Sequence, residues 1–301
     1  MRKVPIIIAF LLVVLISGCL SGQTATSTHT STDNSTSSTG NSTSLSQTPS
    51  ITSTREHSPK RFSLDDLRRI VEGIHRGTIE ENESFILELE AISNGSPSLR
   101  RNMTVLRRRS LYVDFDGRVF DMNLTTTVLP QGLSSFVRFI FYNDTFYVLM
   151  GNQWVGIPAN VSNATLRAAI RSMWDENELA LIKKYIEYAP INMSFENDSQ
   201  VLYYTLNFSD LKDFISQLAD NDSVNFSLEI RDAILKVQFR NGTPVGGSTA
   251  FTIVAEVPVT DYTGQSYVLR EVGRSYSTFV IRDINVKKTV KAPNVLGSEY
   301  T

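Results

Sequence analysis

The stretch Phe141-Tyr-Asn-Asp-Thr-Phe-Tyr-Val-Leu-Met-Gly-Asn-Gln-Trp154 decides the fold class of this chain. The runs 136–142 and 146–150 are rich in aromatic and branched residues and flank Asn143-Asp144. Gly151-Asn152 then separates the second run from a third that starts at Trp154. Such runs, separated by two turn-forming residues, predict antiparallel strands joined by tight hairpins. The stretch therefore predicts a meander of short antiparallel strands.

The same pattern continues on both sides of this stretch. Residues 85–92 alternate, with Phe85, Leu87, Leu89 and Ala91 on one face of a strand. The runs 111–115 and 118–122 flank Asp116-Gly117, which predicts a two-residue hairpin. Further strands are predicted at 197–207, 226–230, 233–239, 249–257, 267–271 and 277–290, with Asn241-Gly242 as a turn.

Helices are predicted before and between these strands. Ser63 and Asp66 form a capping box ahead of apolar residues at helical spacing, and Gly77 ends this helix. A helical insertion follows the first meander. Its predicted members are a stripe over 166–174, a new helix capped by Asp175 with Glu178 and ended by Pro190, and a short helix over 209–218. The order is one helix, a meander, a helical insertion and a second meander.

The N-terminus reads as an export signal. Arg2 and Lys3 precede an apolar run over 4–16, which is shorter than the roughly 20 residues that span a bilayer. The following Ile16-Ser17-Gly18-Cys19 resembles a lipobox, the cleavage and lipidation motif of prokaryotic lipoproteins. That resemblance implies removal of residues 1–18 and a lipid on Cys19, which holds the protein on the extracellular face of the cell membrane. The alternative is an uncleaved signal anchor with an incidental cysteine.

Three regions follow from this reading: a signal peptide over 1–18, a tether over 19–60 and a folded domain over 61–301. The tether is dominated by Ser and Thr and has almost no bulky apolar residues, so it cannot bury enough surface to fold. Cys19 is the only cysteine, so no internal disulfide is possible. The formal net charge of −2 gives no reason to expect a nucleic-acid partner.

Asparagine use is the second strong signal. Fifteen of the 19 asparagines begin an Asn-x-Ser/Thr acceptor sequence (a sequon), whereas chance predicts about four. The predicted glycosylation sites are Asn34, Asn41, Asn82, Asn102, Asn123, Asn143, Asn160, Asn163, Asn192, Asn197, Asn207, Asn221, Asn225 and Asn241, with Asn94 a poor acceptor because Pro97 follows its serine. Together with the lipobox, they predict an archaeal cell-surface glycoprotein. The alternative is that Asn-Ser/Thr pairs simply serve turns.

The order of elements resembles the LolA-like superfamily, which includes the carrier LolA, the regulator RseB and the lipoproteins LppX and LprG. The resemblance covers most of residues 62–293 and rests on the helix leading into the strand at Phe85, the hairpin over 141–154, and the strand, turn and return over 233–245. The closing segment 286–293 also fits. It implies an α+β fold: a strongly curved antiparallel β half-barrel with helices covering the concave face. It implies no catalytic residue.

In the superfamily an apolar cavity between sheet and helices binds acyl chains or lipid-linked molecules. The residues of this chain expected to line it are Phe139, Phe141, Trp154, Leu166, Ile170, Met173 and Trp174. Apolar pockets are the usual form of small-molecule sites. For any single one of these residues, ordinary packing of helix against sheet is the simpler interpretation.

Other residue clusters point to no enzyme. The arginines at 100–101 and 107–109 could hold a phosphate or an acidic glycan, but a solvated strand face balanced by nearby glutamates is the simpler interpretation. Asp114, Asp116 and Asp121 lack the further ligands of a calcium loop. The three histidines have no metal-binding spacing, and there is no nucleophile elbow or phosphate-binding glycine loop, so neither metal nor cofactor is expected.

Three functions remain open. The first is a binding protein for a hydrophobic or lipid-like ligand. The second is a non-catalytic envelope interaction or sensor module, RseB-like, with a protein partner. The third is a solute-binding receptor, which usually has two α/β lobes rather than meanders. Sugars should avoid a functional surface, so a face without sequons would mark it.

Overall fold

We describe the fold from a computed structural model, for residues 61–93, 96–160, 173–175, 177–207, 227–260, 264 and 266–295. Besides a short helical stretch at 173–175, two helices and eleven strands make up this part of the chain. They are α1 (Leu64–Glu72), β1 (Arg76–Ser93), β2 (Ser96–Asp114), β3 (Val119–Leu129), β4 (Leu133–Tyr142), β5 (Thr145–Met150), β6 (Gln153–Pro158), α2 (Glu178–Tyr185), β7 (Asn192–Glu196), β8 (Ser199–Thr205), β9 (Ser227–Arg240), β10 (Thr243–Thr260) and β11 (Ser266–Arg282).

All eleven strands belong to one antiparallel sheet, in the order β6-β5-β4-β3-β2-β1-β11-β10-β9-β8-β7. The first six strands form one meander and the last five form another, and the two meanders join where β1 pairs with β11. The ends of the order, β6 and β7, do not pair with each other, so the sheet is not closed into a barrel. In the described residues, a single antiparallel sheet with few helices confirms the antiparallel α+β class.

Helix α1 begins as predicted and ends earlier. Ser63 and Asp66 form both hydrogen bonds of the capping box. The helix stops at Glu72 with Gly73 as its C-cap, so the prediction that Gly77 ends it was wrong. Gly77 instead lies in β1, where a Cβ would collide with the Leu179 side chain of α2. Its small size lets α2 approach the sheet closely.

Two hairpin turns use the residues that the sequence indicated, Asn143-Asp144 and Asn241-Gly242, and both pairs have the positive φ values that such two-residue hairpins require. A third turn of this kind, at Asn197-Asp198, lies where the sequence predicted the start of a strand. The turn at Asp116-Gly117 is different, because β2 ends at Asp114 and four residues precede β3. The Asp114 carboxylate accepts a hydrogen bond from the Gly117 N–H at 2.9 Å, which stabilises the longer loop.

Several predicted boundaries were wrong for identifiable reasons. Strand β1 starts nine residues before Phe85, because Glu81 and Glu83 interrupt its apolar alternation. Strand β9 is continuous, with Asp232 at a positive φ where two separate strands were expected. Strand β7 was not predicted at all. The N-cap of α2 is Asn177, whose side chain accepts a hydrogen bond from the Ala180 N–H, rather than Asp175.

Each helix holds the C-terminus of the other. The Lys183 ammonium of α2 donates to the carbonyl oxygens of Val71 and Glu72, at 3.0 and 3.1 Å. Arg68 of α1 donates to the Ile186 carbonyl at 3.0 Å, just beyond the end of α2. Positive groups stabilise the carbonyl ends of helices, so the two helices form one unit.

Both helices pack on the same face of the sheet, in one contiguous core. Leu67 and Val71 of α1 and Leu179 and Ile182 of α2 belong to it, and it extends from β5 to β8. Those two strands would lie roughly 38 Å apart in a flat sheet, whereas α2 is roughly 12 Å long. A single core of this extent is consistent with a curved half-barrel.

Within the described residues, no helix is both long enough and apolar enough to span a membrane. The predicted signal peptide, the lipidation site Cys19 and the tether lie outside the described residues. So do the helix predicted at 209–218 and most of the helix predicted over 166–174.

Candidate functional site: the inner face of the sheet

The face of the sheet that carries both helices is called the inner face here. Residues directly opposite each other on paired strands share a face. Ile79 of β1 lies opposite Leu111 of β2 and Ile281 of β11, and all three are buried in the core with the helices. Alternate residues of β1 from Ile79 to Leu89, and their partners, therefore line the inner face.

The part of this face beneath the helices is filled by aromatic packing. Phe141 stacks on Phe120 with ring centroids 5.7 Å apart, and Trp174 meets Phe141 edge-on at 5.6 Å. Phe139 stacks on Phe146 at 5.4 Å. These rings are in contact with each other, so this part of the inner face is a packed core rather than a cavity.

The cavity residues expected from the sequence fall into three groups. Phe139 and Phe141 are buried in the aromatic core, and Met173 and Trp174 pack against it from the helical side. Trp154 lies on the outer face of the sheet. It is opposite Leu149 of β5, and Leu149 is opposite Arg138 of β4, whose side chain points away from the inner face that Phe139 lines. The Trp154 ring there faces the Arg138 guanidinium, 5.8 Å from the ring centroid. Leu166 and Ile170 lie outside the described residues.

An open cleft of about 450 Å³ lies beside Trp174. Its lining residues are Phe115, Arg118, Trp174, Asp175, Ala180 and Lys183. Three of these side chains carry charge, so the cleft differs from the apolar cavity that the sequence predicts.

Next to the aromatic core, the inner face carries four charged side chains from β1 and β2, which we call the charged row: Glu81, Glu83, Arg107 and Arg109. Arg109 contacts two carboxylates, Glu81 at 2.8 Å and Glu178 of α2 in a short contact. The Glu178 side chain is 4 % exposed. Burial raises the pKa of Glu178, against the opposing effect of Arg109. Burial lowers the pKa of Arg109, but Glu178 and Glu81 outweigh it and raise that pKa overall.

The other half of the charged row is also paired. Arg107 contacts Glu83 at 2.8 Å, and the Ser275 hydroxyl donates to the same carboxylate at 2.7 Å. Neighbouring inner-face hydroxyls of Thr249 and Ser277 lie 2.8 Å apart. The charged row thus has balanced charges and crosses the inner face as a polar band.

This arrangement corrects the interpretation as a solvated face for Arg107 and Arg109, whereas Arg100, Arg101 and Arg108 are exposed as predicted. Alternation along β2 turns Arg107 and Arg109 inward and leaves Arg108 exposed outside. The alternation that predicts burial of these two arginines was visible in the sequence. Residues Val105, Arg107, Arg109, Leu111 and Val113 occupy alternate positions, so any strand that buries the apolar members also buries the two arginines.

Beyond the charged row, away from the helices, the inner face is apolar again. We call this region the distal apolar surface. Phe85, Leu87 and Val105 are buried there, and Leu89, Met103 and Val128 pack against them. The Phe85 ring lies over Gly273 of β11, where a Cβ would collide with it. The inner face therefore has two apolar regions separated by charges.

Sequon asparagines occupy other surfaces. Asn82, Asn102 and Asn123 point to the outer face from the middle of β1, β2 and β3, and Asn143, Asn197 and Asn241 lie in hairpin turns. Of the sequon asparagines in the described ranges, Asn123 is half-buried and the others are exposed. Asparagine is disfavoured in strands, and no turn explains the three mid-strand positions. The turn interpretation therefore does not account for these three positions.

Among the residues that the structure describes, no group of three or more His, Cys, Asp or Glu side chains could hold a metal ion. Titratable groups of the inner face are mainly used in pairing with one another, as the charged row shows.

No protein-family profile matches this chain, and no curated protein is similar to it. Among solved structures, LprF from Mycobacterium bovis is similar with a TM-score of 0.33 and 11% identity, over 78% of this chain and 95% of that one. A β-barrel-like protein of a domain of unknown function from Brucella abortus has a TM-score of 0.23 and 11% identity, over 68% and 98%. Lipovitellin has a TM-score of 0.22 and 10% identity, over 73% of this chain and 26% of that one. Likenesses of this size carry no argument about function, and the fold stands on the strand order alone.

Proposed function

We propose that this chain is a membrane-anchored extracellular lipoprotein that binds a hydrophobic, lipid-like ligand on the inner face of a curved half-barrel. The observation that carries the proposal is the distal apolar surface. Phe85, Leu87 and Val105 lie on the face that bears the helices, yet the charged row separates them from the helix-covered core. An apolar surface bordered by polar groups is the usual form of a site for an apolar molecule.

The distal apolar surface, rather than the aromatic core, is the proposed contact for the ligand. The rings of Phe141 and Trp174 are in contact with each other, so a ligand in the aromatic core would have to displace well-packed rings. The proposed ligand contact thus lies one polar row further along β1 than the cavity that the sequence predicts.

The distribution of sequons supports the inner face as the functional one. In the described strands, sequon asparagines point outward or lie in turns, and Asn82 and Asn102 lie on the reverse side of the same two strands that carry Leu87 and Val105. Bulky glycans on the outer face would leave the inner face open.

The location rests on the N-terminal sequence. We propose that Cys19 carries a lipid, that residues 19–60 act as a tether and that the cell is archaeal. A Ser/Thr-rich segment of this length holds a domain clear of the membrane surface. We also propose that the protein is not an enzyme and needs no cofactor.

One observation favours the alternative, an envelope interaction module that binds a protein partner. On the outer face, Leu106 and Tyr276 lie on either side of Ser84 and are 41% and 56% exposed. Ile86 beside them is 42% exposed. A small exposed apolar patch of this kind fits a protein contact, although glycans at Asn82 would crowd it.

Photolabelling tests the proposal. The full-length protein in its host membrane is irradiated with a photoactivatable glycerolipid, digested and searched for labelled peptides. We expect labels on β1 and β2, at the distal apolar surface. Labels confined to the outer-face patch, or none on the inner strands, would contradict it.

Two neighbouring substitutions provide a matched control. Leu87→Glu places a charge on the buried inner face and should abolish labelling, whereas Ile86→Glu places the same charge on the exposed outer face and should not. Met103→Gln, at a half-buried inner position opposite Leu87, tests the same surface if Leu87→Glu fails to fold.

A further inference from the structure

One carboxyl group on the inner face stands apart from the charged row. Glu271 lies in the middle of β11, directly opposite Leu89 of β1 and Ala255 of β10. These three residues share the inner face because cross-strand partners do. Glu271 is only 8% exposed. A carboxyl group therefore lies at the border of the distal apolar surface.

The surroundings of Glu271 on this face are apolar. Leu87 of β1 and Ile253 of β10 are the next inner-face residues after Leu89 and Ala255, and both are buried. Leu228 of β9 lies opposite Ala255. Between Glu271 and Ser275, where the polar band begins, the strand covers roughly 13 Å. An apolar stretch of that length therefore separates two polar ends on the inner face.

Within the described residues, no side chain or backbone group forms a hydrogen bond or ion pair with the Glu271 carboxyl group. In contrast, Glu81 and Glu83 each contact an arginine. Burying a carboxylate without a partner is costly, so such groups are normally paired. Burial alone raises the pKa of Glu271 to about 7.

In the described residues, the charged groups nearest to Glu271 form no hydrogen bond or ion pair with its carboxyl group. Arg270, Glu90 and Glu256 lie on the outer face and interact there, with Arg270 3.4 Å from Glu256. Arg101 shares the inner-face row, opposite Leu89, but is exposed and lies roughly 10 Å from Glu271, two strands away. No ion pair joins the two side chains in the described structure.

We propose that Glu271 is the polar anchor of the ligand site and accepts hydrogen bonds from the headgroup of an amphiphile, an amine or a hydroxyl, whose apolar part lies on Phe85, Leu87 and Val105. This inference rests on the proposed function and deepens it. A donor head would supply the missing partner of the buried carboxyl group. An anionic head, such as a carboxylate or phosphate, would place like charges together in an apolar setting.

Matched photoactivatable probes test the proposal: dodecylamine, dodecanol and dodecanoic acid, each applied to the full-length protein in its host membrane at pH 8. We expect inner-strand labelling by the amine to exceed labelling by the acid by about tenfold or more, the effect of one charge-assisted hydrogen bond. The alcohol should lie between them. The comparison uses the wild-type protein, so it does not depend on whether a variant folds.

Variants then assign the preference to one residue. Glu271→Gln should make labelling by amine and acid equal. Glu88→Gln should leave the preference intact, because Glu88 is an outer-face carboxylate paired with Arg274. Arg101→Gln should also leave the preference for the amine intact. This control shows that the preference depends on Glu271 and not on any charged residue of the inner face.

The outcomes separate this inference from the function on which it rests. Inner-face labelling that is equal for amine and acid overturns the role of Glu271 and leaves a lipid-binding surface. An amine preference that persists in Glu271→Gln also overturns it. If no probe labels the inner strands, the proposed function itself fails.

Discussion

Glu178, the first residue of helix α2, forms an ion pair with Arg109 in the middle of strand β2. Glu178 is buried and Arg109 is half-buried, and the pair ties the helix to the inner face of the sheet. Glu81 contacts the same guanidinium from β1, so one arginine contacts two carboxylates. The connection between helix and sheet is thus electrostatic at one end of α2 and apolar along its length, through Leu179 and Ile182.

Removing that arginine should be strongly destabilising. Arg109→Ala leaves Glu81 and Glu178 buried without a cation, and breaking a buried pair in this way costs about 3–5 kcal/mol. The free energy of unfolding in urea measures the loss. Arg108→Ala, its exposed outer-face neighbour, should change stability by less than about 0.5 kcal/mol. Equal losses for the two variants would show that Arg109 does not hold the helix.

Stability should fall as the pH rises, because burial raises the pKa of both Glu271 and Glu178. For Glu271 the stability is fully present below about pH 4.5, where the folded and unfolded carboxyl groups are both protonated. It is lost as the pH rises through about 7, by an amount on the order of 3 kcal/mol. The free energy of unfolding at pH 5 and pH 8 measures it.

The variant Glu271→Gln isolates this contribution. Its free energy of unfolding should fall less between pH 5 and pH 8 than that of the wild type, while Glu88→Gln should behave as the wild type does. Parallel profiles for Glu271→Gln and wild type would mean that the buried carboxyl group has a partner in solution.

Removing a sequon asparagine should affect stability at a turn position but not at an exposed strand position. Asn82→Gln should lose one glycan in the intact mass of host-expressed protein and keep its unfolding temperature. Asn143→Gln should lose one glycan and also about 1 kcal/mol of stability, since its backbone φ of 49° is left-handed. Thr145→Ala removes the same glycan but keeps Asn143, so its fold should be less affected. An unchanged mass for Asn82→Gln would contradict glycosylation at that site.

Lipidation of Cys19 predicts a specific mature N-terminus. Mass spectrometry of the host protein should show Cys19 as the first residue, with a lipid on its sulfur. Cys19→Ser should leave the N-terminal peptide without this lipid, and the protein should no longer be recovered as a processed, membrane-bound form. Recovery of residues 1–18 on the mature wild-type protein would instead support the signal anchor.

Much of the fold could be predicted because strands and hairpins leave local signals. The turns at Asn143 and Asn241 contain residues that tolerate positive φ, and the capping box at Ser63 marks a helix start. Strand lengths were harder. β1 carries Glu81 and Glu83 at inner-face positions, and these charges hide the alternation that continues from Ile79 to Phe85.

The sequence predicted an apolar binding site but not the residues that border it. Residues that approach each other through strand register, such as Arg109 and Glu81, give no sign of their partner in a single sequence. Glu271 was missed for the same reason, because its apolar surroundings come from β1 and β10. Trp154 was expected on the cavity side, but the hairpin register turns it to the other face.

Native mass spectrometry of the full-length protein, released from its host membrane, tests the central claim most directly. We predict a complex with one lipid-like molecule per chain, in the wild type and in Ile86→Glu, and its loss in Leu87→Glu. Identification of the released molecule would also show whether its head donates hydrogen bonds, as the Glu271 proposal requires. A wild-type protein of clean mass, which takes up no lipid when host lipids are added, would contradict the account.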